Sequence, residues 1–462
     1  MKTKFVDLHF SPVVIALCLL TVQMEAQTVI KVAAGNQCTL FLKSNGGLWS
    51  MGFNFAGELG DGTYNFNGVA RPEKIVFSNV LAITTGNEGH SMFIKNDGSL
   101  WVTGYNNYGQ LGDGTFNNTN RPEMIVASNV VAVAAGAYHS LILKKDGSLW
   151  AAGARNYGQL GDGSLSFGSN RFEMIVASNV TAIAAGDYHS LFIKSDGSLW
   201  GMGYNRYGEL GIGFPSTNYP YGTNLPVQIV ASNVVAVASG SLDSLFLKAD
   251  GSLWGMGWNN AGELGDGTYN EADLPKQIMA SNVTAIAVGD GSSLFIKNDG
   301  SLWAMGYNNV GQLGDGTTNY YVNLPEQIVP GHVTAIAAGD SHNLFFKDDG
   351  SLWAMGHNYS GELGDGTRNN TNRPEMIVPP NYNQLTAQPL NGSRMRLSFV
   401  GDSGANYALE RSFNLSSSNW TTQTTNTADF FGILSFTNSF TNLPTTITNI
   451  FWRVRSVSVS SQ

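Results

Sequence analysis

The sequence predicts an all-β fold: a seven-bladed β-propeller over residues 27–380, followed by a small β-sandwich over residues 381–462. Three observations carry this expectation. Trp49, Trp101, Trp150, Trp200, Trp254, Trp303 and Trp353 recur every 49 to 54 residues, each inside Gly-Ser-Leu-Trp or its variant Gly-Gly-Leu-Trp. Every such unit carries four short strand-like runs. After the seventh unit the periodicity stops and the composition shifts toward Thr, Ser and Asn.

Composition sets the outer bounds. The 462 residues are 42% hydrophobic but only 13% charged, with 55 glycines, so the chain can bury a full core while its surface relies on neutral Asn, Ser, Thr and Tyr. A formal charge of −9 on an aromatic-rich chain excludes disorder. Cys18 lies in the leader and leaves Cys38 alone, which excludes a disulfide framework.

Residues 1–26 read as an export signal, with basic Lys2 and Lys4, an apolar run from Pro12 to Val22, and small Ala26 at the end. That run is far shorter than the ~20 residues of a spanning helix. Leu17 before Cys18 argues against lipidation. The expectation is cleavage after Ala26, no membrane span, and a secreted or cell-surface protein.

One unit can be read from Val180: Val180 to Gly186, His189 to Lys194, an Asp196-Gly197 turn, Ser198 to Gly203, a long loop, then Pro226 to Val230. Asp-Gly between two strand-like runs favours a hairpin, because glycine accepts positive φ. Four strands in about fifty residues cannot bury an apolar face alone, so units must stack. The run at Val29 to Gly35 lacks a preceding strand and Pro374 to Val378 supplies one. The first and last segments are therefore expected to share one blade and close a ring without a long open edge.

The units resemble the repeats of the regulator of chromosome condensation family. The match includes Ala185-Gly186, His189-Ser190-Leu191, Asp196-Gly197 and Asn156-Tyr157-Gly158-Gln159-Leu160-Gly161, and it extends over about residues 28–379. The resemblance implies the propeller fold. The family includes a nuclear guanine-nucleotide exchange factor that also binds chromatin and a secreted bacterial β-lactamase inhibitor, so fold does not transfer function.

Residues present in every unit read as scaffold. The tryptophans are expected between blades, burying roughly 150–250 Å² each. His90, His139, His189 and His342 are expected to be hydrogen-bonded structural residues at a position filled elsewhere by Thr39, Ser244 or Ser293. The Leu-Gly-Asp-Gly-Thr runs that begin at Leu59, Leu111, Leu264, Leu313 and Leu363 offer one acid each, too few for a calcium loop, and unit four replaces the acid with Ile212. HExxH, GxxxxGK[ST], GxSxG and CxxC are all missing. Gly401-Asp402-Ser403-Gly404 reads as a turn in the tail. No catalytic residue, cofactor or metal ligand is expected.

Strand parity separates two faces. The Asp-Gly and Ala-Ser-Asn turns share one, and the other gathers the loops after Ala-Gly with the long loops after Trp-x-x-Gly. Glu88, Asp187, Asp243, Asp290 and Asp340 are expected near the mouth of the axial channel, where crowded like charges favour a cationic partner group. Tyr138 and Tyr188 stand beside them. An insertion in unit four carries Phe214, Tyr219 and Tyr221, aromatic residues suited to a protein or glycan partner.

Met395, Leu397 and Phe399, then Tyr407 and Leu409, alternate as buried strand faces do in the tail. This module looks like the immunoglobulin- or fibronectin-like ends of secreted bacterial proteins. The leader is neutral and the tail carries +2, which leaves −11 on the propeller. Such a charge disfavours nucleic acid. The reading is a monomeric, exported, non-enzymatic binding scaffold. Guanine-nucleotide exchange by family analogy and an enzyme of unrecognised type are the alternatives.

Overall fold

The computed structural model describes residues 6–9, 28–213 and 221–380, together with the tail strands 385–389, 394–400, 406–412, 421–427, 433–439 and 449–457. They fall into two compact units.

The larger unit contains seven four-stranded antiparallel sheets, each made of four consecutive strands. Blade 4 is Val180–Ala185, His189–Lys194, Leu199–Tyr204 and Gly222–Val230. Blades 1, 2, 3, 5, 6 and 7 begin at Val29, Val80, Val130, Val234, Val283 and Val333. The first strand of each blade lines an axial cavity of about 470 Å³, walled by residues such as Val32, Ile83, Ala134, Ala184 and Val237. Where the seven strands converge most closely, at their ends, the lining narrows to small residues such as Ala135-Gly136 and Ala185-Gly186.

The glycine that follows each first strand shows how tight this convergence is. A Cβ on Gly35, Gly86, Gly136, Gly186, Gly240 or Gly289 would come within 3.0 Å of the carbonyl oxygen of the next glycine in the series, and Gly339 meets Gly35. The ring is closed. Its closure differs from the sequence expectation, however, because the first and last segments do not share a sheet. Thr371–Val378 is the outer strand of blade 7, and Val29–Ala34 is the inner strand of a complete blade 1.

Blade 1 docks on blade 7 with the hydrogen bonds used at other junctions. Gly366 N donates to Ala70 O at 2.8 Å, as Gly316 N does to Asn372 O at 2.7 Å. Thr39 Oγ1 lies 2.8 Å from His342 Nε2 and donates to Glu362 O at 2.8 Å. Side-chain packing between complete sheets is enough to close the ring, so no strand has to be exchanged.

The tryptophans pack between blades, as their spacing predicts. Trp200, Phe192 and Met202 of blade 4 cover Leu141, Leu143 and Leu149 of blade 3. Trp200 stacks on Phe192, its cross-strand neighbour, at 6.3 Å, and Lys194 Nζ caps its solvent side at 3.9 Å. Its Nε1 donates to Ser198 Oγ at 2.8 Å, and Ser198 is held in turn by Asp196. The Ala-Ser-Asn turns need a left-handed residue, and Asn129, Asn179, Asn233 and Asn282 take φ of 68–71° there, a conformation asparagine tolerates.

The smaller unit holds a three-stranded sheet of Leu385–Pro389, Arg394–Val400 and Ile433–Ser439, and a four-stranded sheet of Val6–His9, Asn449–Val457, Asn406–Ser412 and Thr421–Thr427. Leu397, Phe399 and Leu409 are buried, as their alternation predicts. Val6–His9, inside the segment read as a leader, pairs antiparallel with Asn449–Trp452 as an edge strand.

Candidate functional site

The loop between the third and fourth strands is built by its own side chains. In blade 1, Asn54 Oδ1 accepts Leu59 N and Asn54 Nδ2 donates to Asp61 Oδ1 at 3.0 Å, while Asp61 also takes Thr63 N and Oγ1 at 2.7 and 2.8 Å. The pairs Asn106–Asp113, Asn259–Asp266, Asn308–Asp315 and Asn358–Asp365 repeat the pattern. In blade 3, Arg155 replaces the asparagine and pairs with Asp162. These carboxylates are occupied by turn donors. Among the described residues, no group of three or more His, Cys, Asp or Glu is arranged to hold a metal ion.

The histidines tie neighbouring blades together. His90, His139 and His189 Nε2 lie 3.0, 2.8 and 2.8 Å from Ser140, Ser190 and Ser244 Oγ of the next blade. Each of these serines donates to a loop carbonyl, of Gln110, Gln159 and Glu209 respectively. The serine therefore accepts from Nε2–H, and burial holds the rings neutral, pushing His90, His139, His189 and His342 down to about 4, 3, 4 and 4.

The alignment at this position corrects the sequence reading by one residue. Cys38, Asp243 and Ser292, rather than Thr39, Ser244 and Ser293, stand where the other blades carry histidine, as the shared register shows. Asp243 thus leaves the mouth cluster. It is 1% exposed, starting a second strand instead of lying in a rim loop.

Four acids do meet on the loop face. Asp187 accepts Asn87 Nδ2 at 2.8 Å and Ser241 Oγ at 2.7 Å. Burial, then the charges of Asp290 and Glu88, push it up to about 6 against those hydrogen bonds. Asp340 rises to about 8 through burial and a hydrogen bond with Asp290, followed by the charges of Asp290, Asp187 and Glu88. Like charges this close disfavour ionisation of the Asp340 carboxyl.

Tyrosines surround the acids. The Tyr138 hydroxyl hydrogen-bonds Glu88, and burial with that bond raises its pKa; Tyr188 is pushed up to about 12 by burial and the charges of Asp187 and Glu88. From these two, rings continue without a break. Tyr138 meets Tyr108 at 4.7 Å, and Tyr108 meets exposed Phe167 at 5.0 Å. On the other side Tyr188 leads to Tyr157 and Tyr204, then to Tyr207 and Trp258, the last pair at 4.5 Å. Arg206 lies over Tyr207 and Tyr221 at 5.7 and 5.3 Å.

The structure therefore gathers Glu88, Tyr138, Asp187, Tyr188, Asp290 and Asp340, and attaches Tyr221 through Tyr204 at 6.1 Å. Phe214 and Tyr219 lie outside the described residues. Tyr105, Tyr204 and Trp258 were missed by sequence reasoning. Their signal is one repeat position, the residue after Trp-x-x-Gly, which is aromatic in five units at Phe53, Tyr105, Tyr204, Trp258 and Tyr307.

The regulator of chromosome condensation (RCC1) repeat matches residues 97–143, 146–193, 196–247, 250–296 and 299–346, more than half of the chain. The protein belongs to the RCC1 repeat family. A second RCC1 pattern matches residues 80–110, 130–159, 180–209, 283–312 and 333–362.

Solved RCC1-like propellers share the fold. Human WBSCR16 is 22% identical, with 77% of this chain and 96% of that chain covered at a TM-score of 0.63. Prp20p from Saccharomyces cerevisiae, described for its binding to Gsp1p and histones, is 19% identical over 75% and 93% of the two chains at 0.61. Yeast RCC1 (Prp20) bound to Kap60 is 20% identical over 78% and 87% at 0.63.

Proposed function

We propose that this RCC1-repeat protein is an exported, monomeric, non-enzymatic scaffold whose loop face binds a protein or glycan, with a cationic group of that partner seated among Glu88, Asp187, Asp290 and Asp340. The observation that carries the reading is the unbroken ring band from Phe167 to Trp258 beside those acids. Tyrosine offers large contact area at small entropic cost, and the acids supply charge selection. Protein binding by Prp20p supports the same use of the fold. The −11 carried by the propeller region would repel phosphate backbones. In this reading the tail is an immunoglobulin- or fibronectin-like sandwich of bacterial type that attaches or sorts the protein.

The test is affinity capture from culture medium by the intact protein and by a Tyr138→Ala, Tyr188→Ala, Tyr204→Ala variant. A partner retained by the wild type and lost by the variant is expected, and Asp187→Asn with Asp340→Asn should weaken it. Equal capture by all three proteins would remove this face as the binding site.

A further inference from the structure

Three further pairings join neighbouring blades. Between blades 7 and 1, His342 meets Thr39 in the histidine–hydroxyl–carbonyl arrangement found from blade 2 to blade 5. Between blades 6 and 7 the histidine position is Ser292, and the larger Asn343 compensates: its Nδ2 reaches Ser292 Oγ at 3.0 Å and Gln312 O at 2.8 Å. Between blades 1 and 2, Cys38 Sγ lies 3.1 Å from Thr85 Oγ1, which Ser91 Oγ reaches at 3.3 Å.

The junction of blades 5 and 6 differs from all of these. Asp243 occupies the histidine position and Ser293 the hydroxyl position, with the same register as His189 and Ser244. A carboxylate is shorter than an imidazole by most of a ring, and no hydrogen bond joins the two residues. Asp243 Oδ2 and Ser293 Oγ have no partner in the protein, although the residues are 1% and 0% exposed. The side chains whose charges act on Asp243 are Glu263, Asp290 and Glu209, all acids. Glu209 Oε1 is buried and unpartnered as well.

Burial and these like charges hold the Asp243 carboxyl well above the usual carboxylate range, against a hydrogen bond from its own backbone; with Oδ2 unpartnered, its charged form is strongly unfavourable unless a cation or a proton neutralises it. Water supplies a donor but no charge. We propose that the junction of blades 5 and 6 is a binding site for a monovalent metal cation of the sodium–potassium class, held by Asp243 Oδ2, Ser293 Oγ and the main-chain oxygen of Glu263. That oxygen corresponds to the carbonyls of Gln110, Gln159 and Glu209 that accept the serine in other junctions. One carboxylate with neutral oxygens suits a single charge, whereas calcium sites gather six to eight oxygens including several carboxylates. The site lies between two sheets and does not depend on the partner proposed for the loop face.

The test is thermal unfolding of the full chain at pH 8 and constant ionic strength in sodium, potassium, lithium or tetramethylammonium chloride. Sodium or potassium should raise the midpoint saturably, by about 2 °C or more above tetramethylammonium. Asp243→His, which restores the histidine–serine pair of the neighbouring junctions, should abolish the difference. Should that variant not fold, Asp243→Asn serves the same purpose. A wild-type midpoint independent of the cation would overturn the proposal and leave a water or proton in that role, as would a cation effect that survives either substitution.

Discussion

The hairpin face and the loop face of the propeller come from the same seven repeats and obey different rules. On the hairpin face the turn is repeated down to the atom: Ser99, Ser148, Ser198, Ser252 and Ser301 each take Trp Nε1 at 2.8–3.0 Å, and a lysine caps the tryptophan. In these five blades the serine and aspartate of the turn are engaged by the turn itself. On the loop face the Asn–Asp–Thr network performs that task, which releases the neighbouring positions to vary. Repetition marks chemistry the ring needs for itself, and divergence marks chemistry it can offer to another molecule.

The sharpest way to break this comparison is to substitute two nearby residues of one blade. Gly186 has no left-handed φ to preserve. What it needs is space, because a Cβ would meet the His189 ring and stand 2.5 Å from Gly240 O. Gly186→Val should cost about 3 kcal/mol or more by overpacking the axis, read by chemical denaturation. Tyr188→Ala, two residues along, should change stability by no more than about 1 kcal/mol while reducing capture of the partner. A Gly186→Val protein as stable as wild type would mean that the axis is not the rigid part.

Legibility followed the same division. Four strands per unit, seven units, the packing of the tryptophans and the turn role of Asp61 were all readable, because each is local chemistry repeated until it stands out. Ring closure was misread at Val29 because strand pairing between chain ends is not a local property, and complete blades can close by packing alone. Asp243 was misplaced because a one-residue shift moves a side chain from a rim loop into a strand, and the Ser-Leu-Asp-Ser sequence at 241–244 permits either alignment. The band of rings was invisible as a unit, since its members run from Tyr108 to Trp258, 150 positions apart in sequence, and meet only when blades are side by side.

Acidity sharpens the comparison, since the inner histidines and the mouth acids oppose each other. The four histidines are depressed in the folded protein, so below pH 6.5 the unfolded chain takes up protons the native state refuses. Stability should fall as pH drops from about 6.5 to 4, by on the order of 3 kcal/mol per site at most. Asp187 and Asp340 are raised, to about 6 and 8, and Glu58 and Glu209 to about 7. Their contribution is complete below the unfolded carboxyl range and is lost as pH rises through the folded values. The histidine gain is complete by about pH 6.5, whereas the loss from Glu58, Glu209 and Asp340 continues to about pH 8, so denaturation between pH 4 and 9 should show stability falling above about pH 6.5. Asp187→Asn with Asp340→Asn should gain on wild type as pH rises from about 4 to 8, by on the order of 1 kcal/mol or more, the Asp187 part being complete by about pH 6. Parallel profiles would deny the mouth its crowded charge.

The smallest effect concerns the one hairpin whose sequence departs from its siblings. Blade 1 has Gly47 where five other blades place the serine that accepts Trp Nε1, and Trp49 Nε1 is buried without a partner. The backbone there already matches, because Gly47 N donates to Asn45 Oδ1 at 2.9 Å as Ser198 N does to Asp196 Oδ1. A Cβ at Gly47 would meet only the end of the Asn45 side chain, at 2.9 Å, and the Lys74 stem and Phe77 O at 3.4 Å. Gly47→Ser should therefore stabilise the protein by about 0.5–1 kcal/mol, the net value of one recovered hydrogen bond, and Ser198→Gly should lose a similar amount. Gain and loss of matching size would show that the repeated turn acts through this bond. A neutral Gly47→Ser beside a costly Ser198→Gly would instead place the benefit in the serine's bond to its aspartate, which Asn45 reproduces less well.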